Sequence, residues 1–500
     1  MVSRVTTIAF RGIETVPVDV EVQIAPGSVG FTIVGLGDKA VTESRERVRS
    51  ALAASGLALP PRRITVNLAP ADLPKGGSHY DLPIALGLML ALGVVPDGAV
   101  DGHVVVGELG LDGRIVGVAG ALPAAVGANT LGKGLICPAG DGAEAAWASA
   151  EMPLLAPASL AALANHFAGR QTLSRPTPQL GRPPIPNADL ADVRGQESAK
   201  RALEIAAAGG HNLLMIGPPG AGKSMLAERM PSILPPLEPR TLLESAMIRS
   251  VAGDLVDGKL EARAPYRAPH HSATMAALIG GGPKARPGEV SLCHGGVLFL
   301  DELPEFQPQV IDALREPLET RRATIARAAN RVTYPARFQL LAAMNPCRCG
   351  HGDEPGHTCK RGDACRDAYQ SRISGPLLDR IDLTIRVGAV TPADLRGAPG
   401  EGSVHVAARV AEARARQTRR YGESERAALN AECPIDRLDM VLQADGDAIA
   451  LVDQVVTERR LSARAYHRTL KVARTIADLA GSEPVQRIHV AEALAYRQAL

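Results

Sequence analysis

Three stretches predict an α/β fold. Asn212–Ile216 is a short apolar strand that runs into Gly217-Pro218-Pro219-Gly220-Ala221-Gly222-Lys223-Ser224, and Ser224–Arg229 begins a helix. Gly296–Leu300 is a second apolar strand and ends in Asp301-Glu302; Phe338–Met344 is a third and ends at Asn345. Short buried strands alternating with helices build an α/β core. An α+β unit precedes this core and a helical lid follows it.

The 500 residues suffice for two to four domains. Hydrophobic residues make up 46% and charged ones 22%, the balance of a globular chain. A net charge of +2 excludes a global attraction to nucleic acid, so any such surface must be local. Aromatic residues, at 3%, are too few for a base-stacking platform. The first residues carry no apolar signal core, and the longest apolar run, Leu82–Val95, is too short to span a bilayer. A cytoplasmic location without membrane contact is expected.

Residues 1–168 alternate strands and helices. Thr15–Val22 alternates in strand fashion, Phe31–Gly37 ends in a glycine turn, and Arg63–Leu68 is a further strand. Glu43–Ser55 is an amphipathic helix stopped by Gly56, and Leu82–Leu92 is a buried one. Val104–Leu109 and Gly113–Val118 read as a hairpin about Leu111-Asp112-Gly113. The run Val106-Gly107-Glu108-Leu109-Gly110-Leu111-Asp112-Gly113-Arg114-Ile115 resembles the signature of the proteolytic domain of Lon-type proteases. That resemblance implies a Ser nucleophile and a Lys base. Tyr80 stands at the nucleophile position and Leu122 at the base position; only a shifted register would bring in Ser78 and Lys75. The domain is therefore expected to be non-proteolytic, serving assembly or partner contact.

Residues 169–187 form a linker punctuated by Pro176, Pro178, Pro183, Pro184 and Pro186. The core spans 188–392. Its eight-residue motif fits G-x-x-x-x-G-K-[ST], the phosphate-binding P-loop. The glycines let backbone N–H groups turn inward, and the helix N-terminus favours anions. Lys223 is placed to reach the β- and γ-phosphates of ATP, and Ser224 to ligate Mg²⁺. Asp301 is placed to hold the same ion and Glu302 to polarise the attacking water. The chain between Lys223 and Asp301 is too long for one crossover, so an insertion is expected at about 241–290. It contains His270-His271, whose side chains should diverge as neighbours do in helices and strands, which disfavours a shared metal.

Asn345 stands where AAA+ ATPases carry sensor 1, which orients the lytic water. Before it, Arg322–Arg327 and Arg331–Tyr334 flank Ala328-Ala329-Asn330 as a hairpin. Arg327 and Arg331 near its tip fit either a solvated hairpin or a pore loop that touches phosphates.

The order of P-loop, long insertion, Val297-Leu298-Phe299-Leu300-Asp301-Glu302-Leu303-Pro304-Glu305-Phe306, arginine-bearing hairpin, Asn345-Pro346-Cys347 and Leu377-Leu378-Asp379-Arg380-Ile381-Asp382 resembles the YifB/ComM family. These are magnesium-chelatase-like AAA+ proteins of the helix-2-insert clade, and the Lon-like domain matches them too. The resemblance implies that Arg380 is an arginine finger reaching a neighbouring subunit's γ-phosphate. It implies that Arg464 on the lid is sensor 2, with Arg468 one turn on as the alternative. It also implies homo-hexameric rings; ComM members are described as ATP-driven motors that migrate branched DNA during natural transformation. Branched or single-stranded DNA and recombination proteins are the partners this implies. The other reading of the same residues is a chelatase-like or chaperone-like ATPase that remodels a protein.

Four of the seven cysteines, Cys347, Cys349, Cys359 and Cys365, lie close together in a polar loop at 347–365. Four thiolates suit tetrahedral Zn²⁺, with His351 or His357 as substitutes; reduced free thiols are the alternative. Residues 393–500 read as the lid: helices Val404–Tyr421, Leu438–Leu442, Ala448–Arg459, Ala463–Leu479 and Ile488–Leu500. The arginines along Val404–Tyr421 read first as a solvated face.

Overall fold

The computed structural model describes residues 2–181, 188–282, 284–326, 331–350, 359, 362–422, 429–459 and 462–497. The first domain grows from one long antiparallel hairpin, Val2–Arg11 with Glu14–Ala25, in unbroken register from Val2↔Gln23 to Arg11↔Glu14. Five more strands extend it into a seven-stranded sheet. Arg63–Ala69 adds antiparallel to the hairpin; Gly30–Val34, His103–Val105, Gly134–Ile136 and Leu154–Leu155 add in parallel. Helix Asp81–Ala91 lies across this sheet and buries its first ten residues, which is why its sequence shows no polar stripe. The expected hairpin at 104–118 divides in two. His103–Val105 joins the main sheet, and only Glu108–Leu109 with Ile115–Val116 forms the small antiparallel pair.

The core that carries the P-loop is a five-stranded, all-parallel sheet. Its order is Tyr266–Arg267, Val297–Leu300, Gln339–Met344, Leu213–Ile216, Leu383–Arg386. The three central strands are buried at every residue, because helices cover one face and the inserted elements the other, while the edge strand Leu383–Arg386 buries only alternate residues. Parallel strands end at one edge, so the P-loop, Asp301-Glu302 and Asn345 collect there. Helix Pro239–Ala252 and the small pair Gly280–Gly281 with Arg286–Pro287 belong to the inserted stretch, while Tyr266–Arg267 within it joins the core sheet. The arginine-bearing hairpin is Arg322–Ala326 with Arg331–Pro335, antiparallel. Arg327 lies outside the described residues; Arg331 is exposed at the hairpin's end.

The lid comprises helices Ser403–Tyr421, Ile435–Leu442, Gly446–Arg459, Ala463–Leu479 and Arg487–Ala495. Val406, Val410, Leu470 and Ile476 share one core cluster with Leu203, Leu213 and Leu226, so lid and P-loop core fold around common apolar contacts. The arginines of Ser403–Tyr421 are largely engaged inside the protein. Arg409 pairs with Glu204 and Glu401, Arg414 donates to the Ala207 carbonyl, and Arg420 pairs with Asp478. Among the described residues no helix is long and apolar enough to cross a membrane.

Candidate active site

The P-loop bends where only glycine fits. A Cβ on Gly217 would stand 2.1 Å from the Val387 carbonyl, and Gly220 and Gly222 hold φ of +77° and +83°. Gly222 then opens helix Lys223–Ile233, which aims its free N–H groups at the loop. Gln196, itself left-handed at φ +58°, props the turn by donating from Nε2 to the Ala221 carbonyl at 2.6 Å.

Lys223 is 8% exposed and folds back on its own loop. Its Nζ donates to the carbonyls of Gly217 and Pro218 at 2.7 and 2.8 Å, and to Asn345 Oδ1 at 3.2 Å. Burial pushes its ammonium below the usual lysine range, against the pull of Asp301 and Glu302. A phosphate oxygen would relieve that burial. Ser224 Oγ donates to Asp301 Oδ2 at 2.5 Å, so a hydroxyl and a carboxylate converge on one point, the oxygen donor set that Mg²⁺ takes. Pro219–Met225, Asp301, Glu302, Met344 and Asn345 line one cavity of about 360 Å³.

Glu302 breaks a local rule. It is a non-glycine residue at φ +52°, ψ +47°, immediately after the acid that ends the strand. That conformation costs about 1–2 kcal/mol, and the Glu302 backbone N–H donates to Asp301 Oδ1 at 2.9 Å. Its partner is one that sequence reasoning missed: His271 Nδ1 stands 3.6 Å from Glu302 Oε2. His270 and His271 were expected to diverge, yet their rings lie 4.0 Å apart. They sit in a turn just beyond the edge strand Tyr266–Arg267, where the alternation of a strand no longer applies. Because that strand runs parallel to Val297–Leu300, the turn is delivered to Glu302.

Two of the expected arginines lie outside this cavity. Arg380 donates to the Pro376 carbonyl at 2.6 Å and to Glu319. It lines a separate cavity with Asp312, Arg315 and Glu316. Arg464 Nη1 lies 3.8 Å from Asp379 Oδ2, beside the Arg380 segment rather than beside Lys223. Arg468 Nη1 donates to Asp382 Oδ1 at 2.5 Å.

The four cysteine sulfurs lie within 4.8 Å of one another, and this is the one group of three or more metal-capable side chains among the described residues. Cys347 and Cys349 Sγ are 3.0 Å apart. His351 and His357 lie outside the described residues. The loop leans on the nucleotide cavity: a Cβ on Gly350, at φ +85°, would meet the Pro219 ring at 2.7 Å.

In the first domain the hydroxyl of Tyr80 is buried and has no hydrogen-bond partner. Leu122, the residue expected at the Lon base position, is packed with Ala246 and Leu260 in an apolar contact between the first domain and the core. Lys75 Nζ donates to the Pro70 carbonyl, and Ser78 Oγ to Glu108. Neither register places a lysine amine on a serine hydroxyl.

A parallel sheet with a P-loop, an acidic strand end and a polar residue on the next strand, covered by a helical lid, defines a P-loop ATPase of the AAA+ class. Family models agree along the chain: "Magnesium chelatase, subunit ChlI" matches 189–395, "Subunit ChlI of Mg-chelatase" matches 20–141, and "Magnesium chelatase, subunit ChlI C-terminal" matches 400–497. The chain belongs to the YifB/ComM family of magnesium-chelatase-like AAA+ proteins. It is 44% identical to YifB of Salmonella typhimurium over 496 residues, covering 99% of this chain and 96% of that one. It is 42% identical to the competence protein ComM of Haemophilus influenzae, covering 98% and 96%. Lon protease 2 of Bacillus subtilis is 28% identical over 160 residues, 30% of this chain and 28% of that one. The family implies ATP and Mg²⁺.

Proposed function

We propose that this protein is an ATP-hydrolysing ring motor that acts on DNA as a branch-migration helicase in recombination and natural transformation. The observation that carries the reading is end-to-end similarity to a competence protein, joined to a nucleotide cavity whose expected arginines face elsewhere. A homo-hexamer answers that geometry: each cavity is completed by the next subunit's Arg380, with Arg464 beside it. Lys223 holds the β- and γ-phosphate oxygens; Ser224 and Asp301 would hold Mg²⁺, which when bound would supply charge neutralisation at the phosphoryl group. Glu302 takes a proton from the attacking water, Asn345 orients that water, and His271 sets the direction of the Glu302 carboxylate. The hairpin carrying Arg327 and Arg331 follows the phosphates of branched or single-stranded DNA. Recombination proteins are natural partners for such a motor in the cytoplasm.

The test is ATP turnover of the full chain with and without branched DNA, with Glu302→Gln as control. Turnover should rise with DNA, and the rise should shrink as salt increases. Absence of stimulation and of strand movement would shift the reading to remodelling of a protein partner. His271→Ala should lower kcat roughly 10-fold with nucleotide affinity unchanged, read by phosphate release and fluorescent-nucleotide titration, because a misaimed base loses rate and not binding.

The four thiols suit Zn²⁺, which would need no further protein ligand in a Cys₄ site. Elemental analysis should find about one zinc per chain, lost when Cys347 and Cys365 become Ser. A ratio near zero, with no chelator-induced drop in melting temperature, would leave the cluster as reduced thiols.

A further inference from the structure

Asn212 precedes the P-loop strand and joins three parts of the site. Its Oδ1 accepts from the Leu340 N–H at 2.9 Å, on the strand that ends at Asn345. Its Nδ2 donates to the Arg380 carbonyl at 2.9 Å, and its backbone N–H donates to Asp382 Oδ2 at 2.9 Å. Its carbonyl accepts from the N–H groups of Asp382 and Leu383 at 3.0 Å each. The segment after Arg380 is thereby fixed to the base of the ATPase sheet.

The lid grips the same segment from the other side. Helix Ala463–Leu479 presents Arg464 and Arg468 one turn apart, and they meet the two aspartates that bracket Arg380. Arg464 stands 3.8 Å from Asp379, in solvent, a pair that contributes little. Arg468 reaches Asp382 at 2.5 Å, where the carboxylate is only 7% exposed. Two turns further on, Thr475 Oγ1 meets His211 Nε2 at 2.7 Å, and His211 Nδ1 stands 3.8 Å from Asp382. Burial works against the Asp382 charge. The Arg468 guanidinium and the His211 ring outweigh it, and the carboxyl titrates well below its usual range. The junction is a paired, buried charge, and its geometry is fixed.

We infer that Asp382 and Arg468 are positioning residues that couple the lid to the Arg380 finger, so that lid movement over one nucleotide changes the finger offered to the neighbouring subunit. This rests on Arg380 acting across a subunit boundary. It assigns Arg468 a role different from nucleotide sensing: the guanidinium is committed to Asp382, one residue beyond Ile381, and is absent from the lining of the P-loop cavity. The lid helix therefore reaches catalysis through the finger segment.

The experiment mixes full-length subunits. Arg468→Gln rings should bind a fluorescent ATP analogue within about twofold of the parent but turn over ATP at least 10-fold more slowly. Mixing them with Glu302→Gln subunits, which keep an intact finger and lid, should restore several-fold of the lost turnover, because each Arg468→Gln site then borrows a correctly held finger. Arg380→Ala mixed with Glu302→Gln is the reference. If that reference fails to recover, the trans finger itself is wrong. If it recovers and Arg468→Gln does not, or if Arg468→Gln weakens nucleotide binding instead, the coupling is overturned. Arg468→Lys keeps the charge and one donor and should regain part of the rate at an unchanged melting temperature; equal loss in Lys and Gln variants that melt like the parent would also overturn it.

Discussion

Glu302→Gln is expected to lower ATP turnover about 10²–10³-fold while leaving nucleotide affinity intact. The figure corresponds to roughly 3–4 kcal/mol of transition-state stabilisation. Gln keeps the size of the side chain and the strained left-handed backbone at φ +52°, and the amide still accepts a hydrogen bond. What is lost is the carboxylate's ability to take a proton from water. The neighbours stay whole: Ser224 still meets Asp301, and Lys223 still meets Asn345. Affinity measured by fluorescent-nucleotide titration should therefore hold while phosphate release falls. A variant that keeps more than a tenth of the parent's kcat would place water activation on another group. Lys223→Ala should behave differently, losing affinity itself, because in the proposed mechanism this buried amine meets the phosphates already in the ground state.

The parts of the site that were legible are those encoded contiguously or by sheet edge. The P-loop is eight consecutive residues with a strand before and a helix after, and it folds as such. Asp301, Glu302 and Asn345 each follow an apolar run, and parallel pairing brings the ends of those runs together. Lid helices Ser403–Tyr421, Ile435–Leu442 and Ala463–Leu479 show their 3.6-residue period plainly, since they carry one apolar face onto a core shared with the sheet, whereas Arg487–Ala495 shows almost none. His271 escaped because its strand has only two residues and leaves no periodic mark; only the pairing of Tyr266–Arg267 beside Val297–Leu298 reveals where the turn goes. Gln196 escaped because a side-chain cap on a distant loop has no sequence spacing. The small hairpin near Glu108 is shorter than its sequence suggests, because Val104–Val106 has the composition of a strand whichever partner it takes. Helical spacing puts Arg464 and Arg468 on one face of Ala463–Leu479, and they share it. Spacing cannot say that one guanidinium meets a buried carboxylate and the other an exposed one.

Arg380→Ala is expected to lower ATP turnover of uniform rings about 10³-fold or more, the usual contribution of an arginine finger, again with affinity retained. Within one chain Arg380 is bound to Glu319 and to the Pro376 carbonyl, with its side chain 12% exposed. It lines a cavity of about 650 Å³ together with Met275, Ile279 and Gly280 of the inserted stretch. A neighbour's phosphates arriving there would compete with Glu319 for the guanidinium. In the proposed ring, Arg380 would thus be held in place before the subunit interface forms and would exchange a carboxylate partner for a phosphate one. Glu319→Gln should accordingly be mild or mildly activating, while Arg380→Lys should recover little, since a point charge does not reproduce the planar fork that spans phosphoryl oxygens. Mixed rings decide whether the residue serves its own nucleotide or the next one. Arg380→Ala subunits combined with Glu302→Gln subunits should regain turnover, because the first type keeps Lys223, Asp301 and Glu302 and the second still offers Arg380. No recovery, in rings shown by sizing to be mixed, would assign Arg380 to its own site and remove the reason for each cavity to need a neighbour.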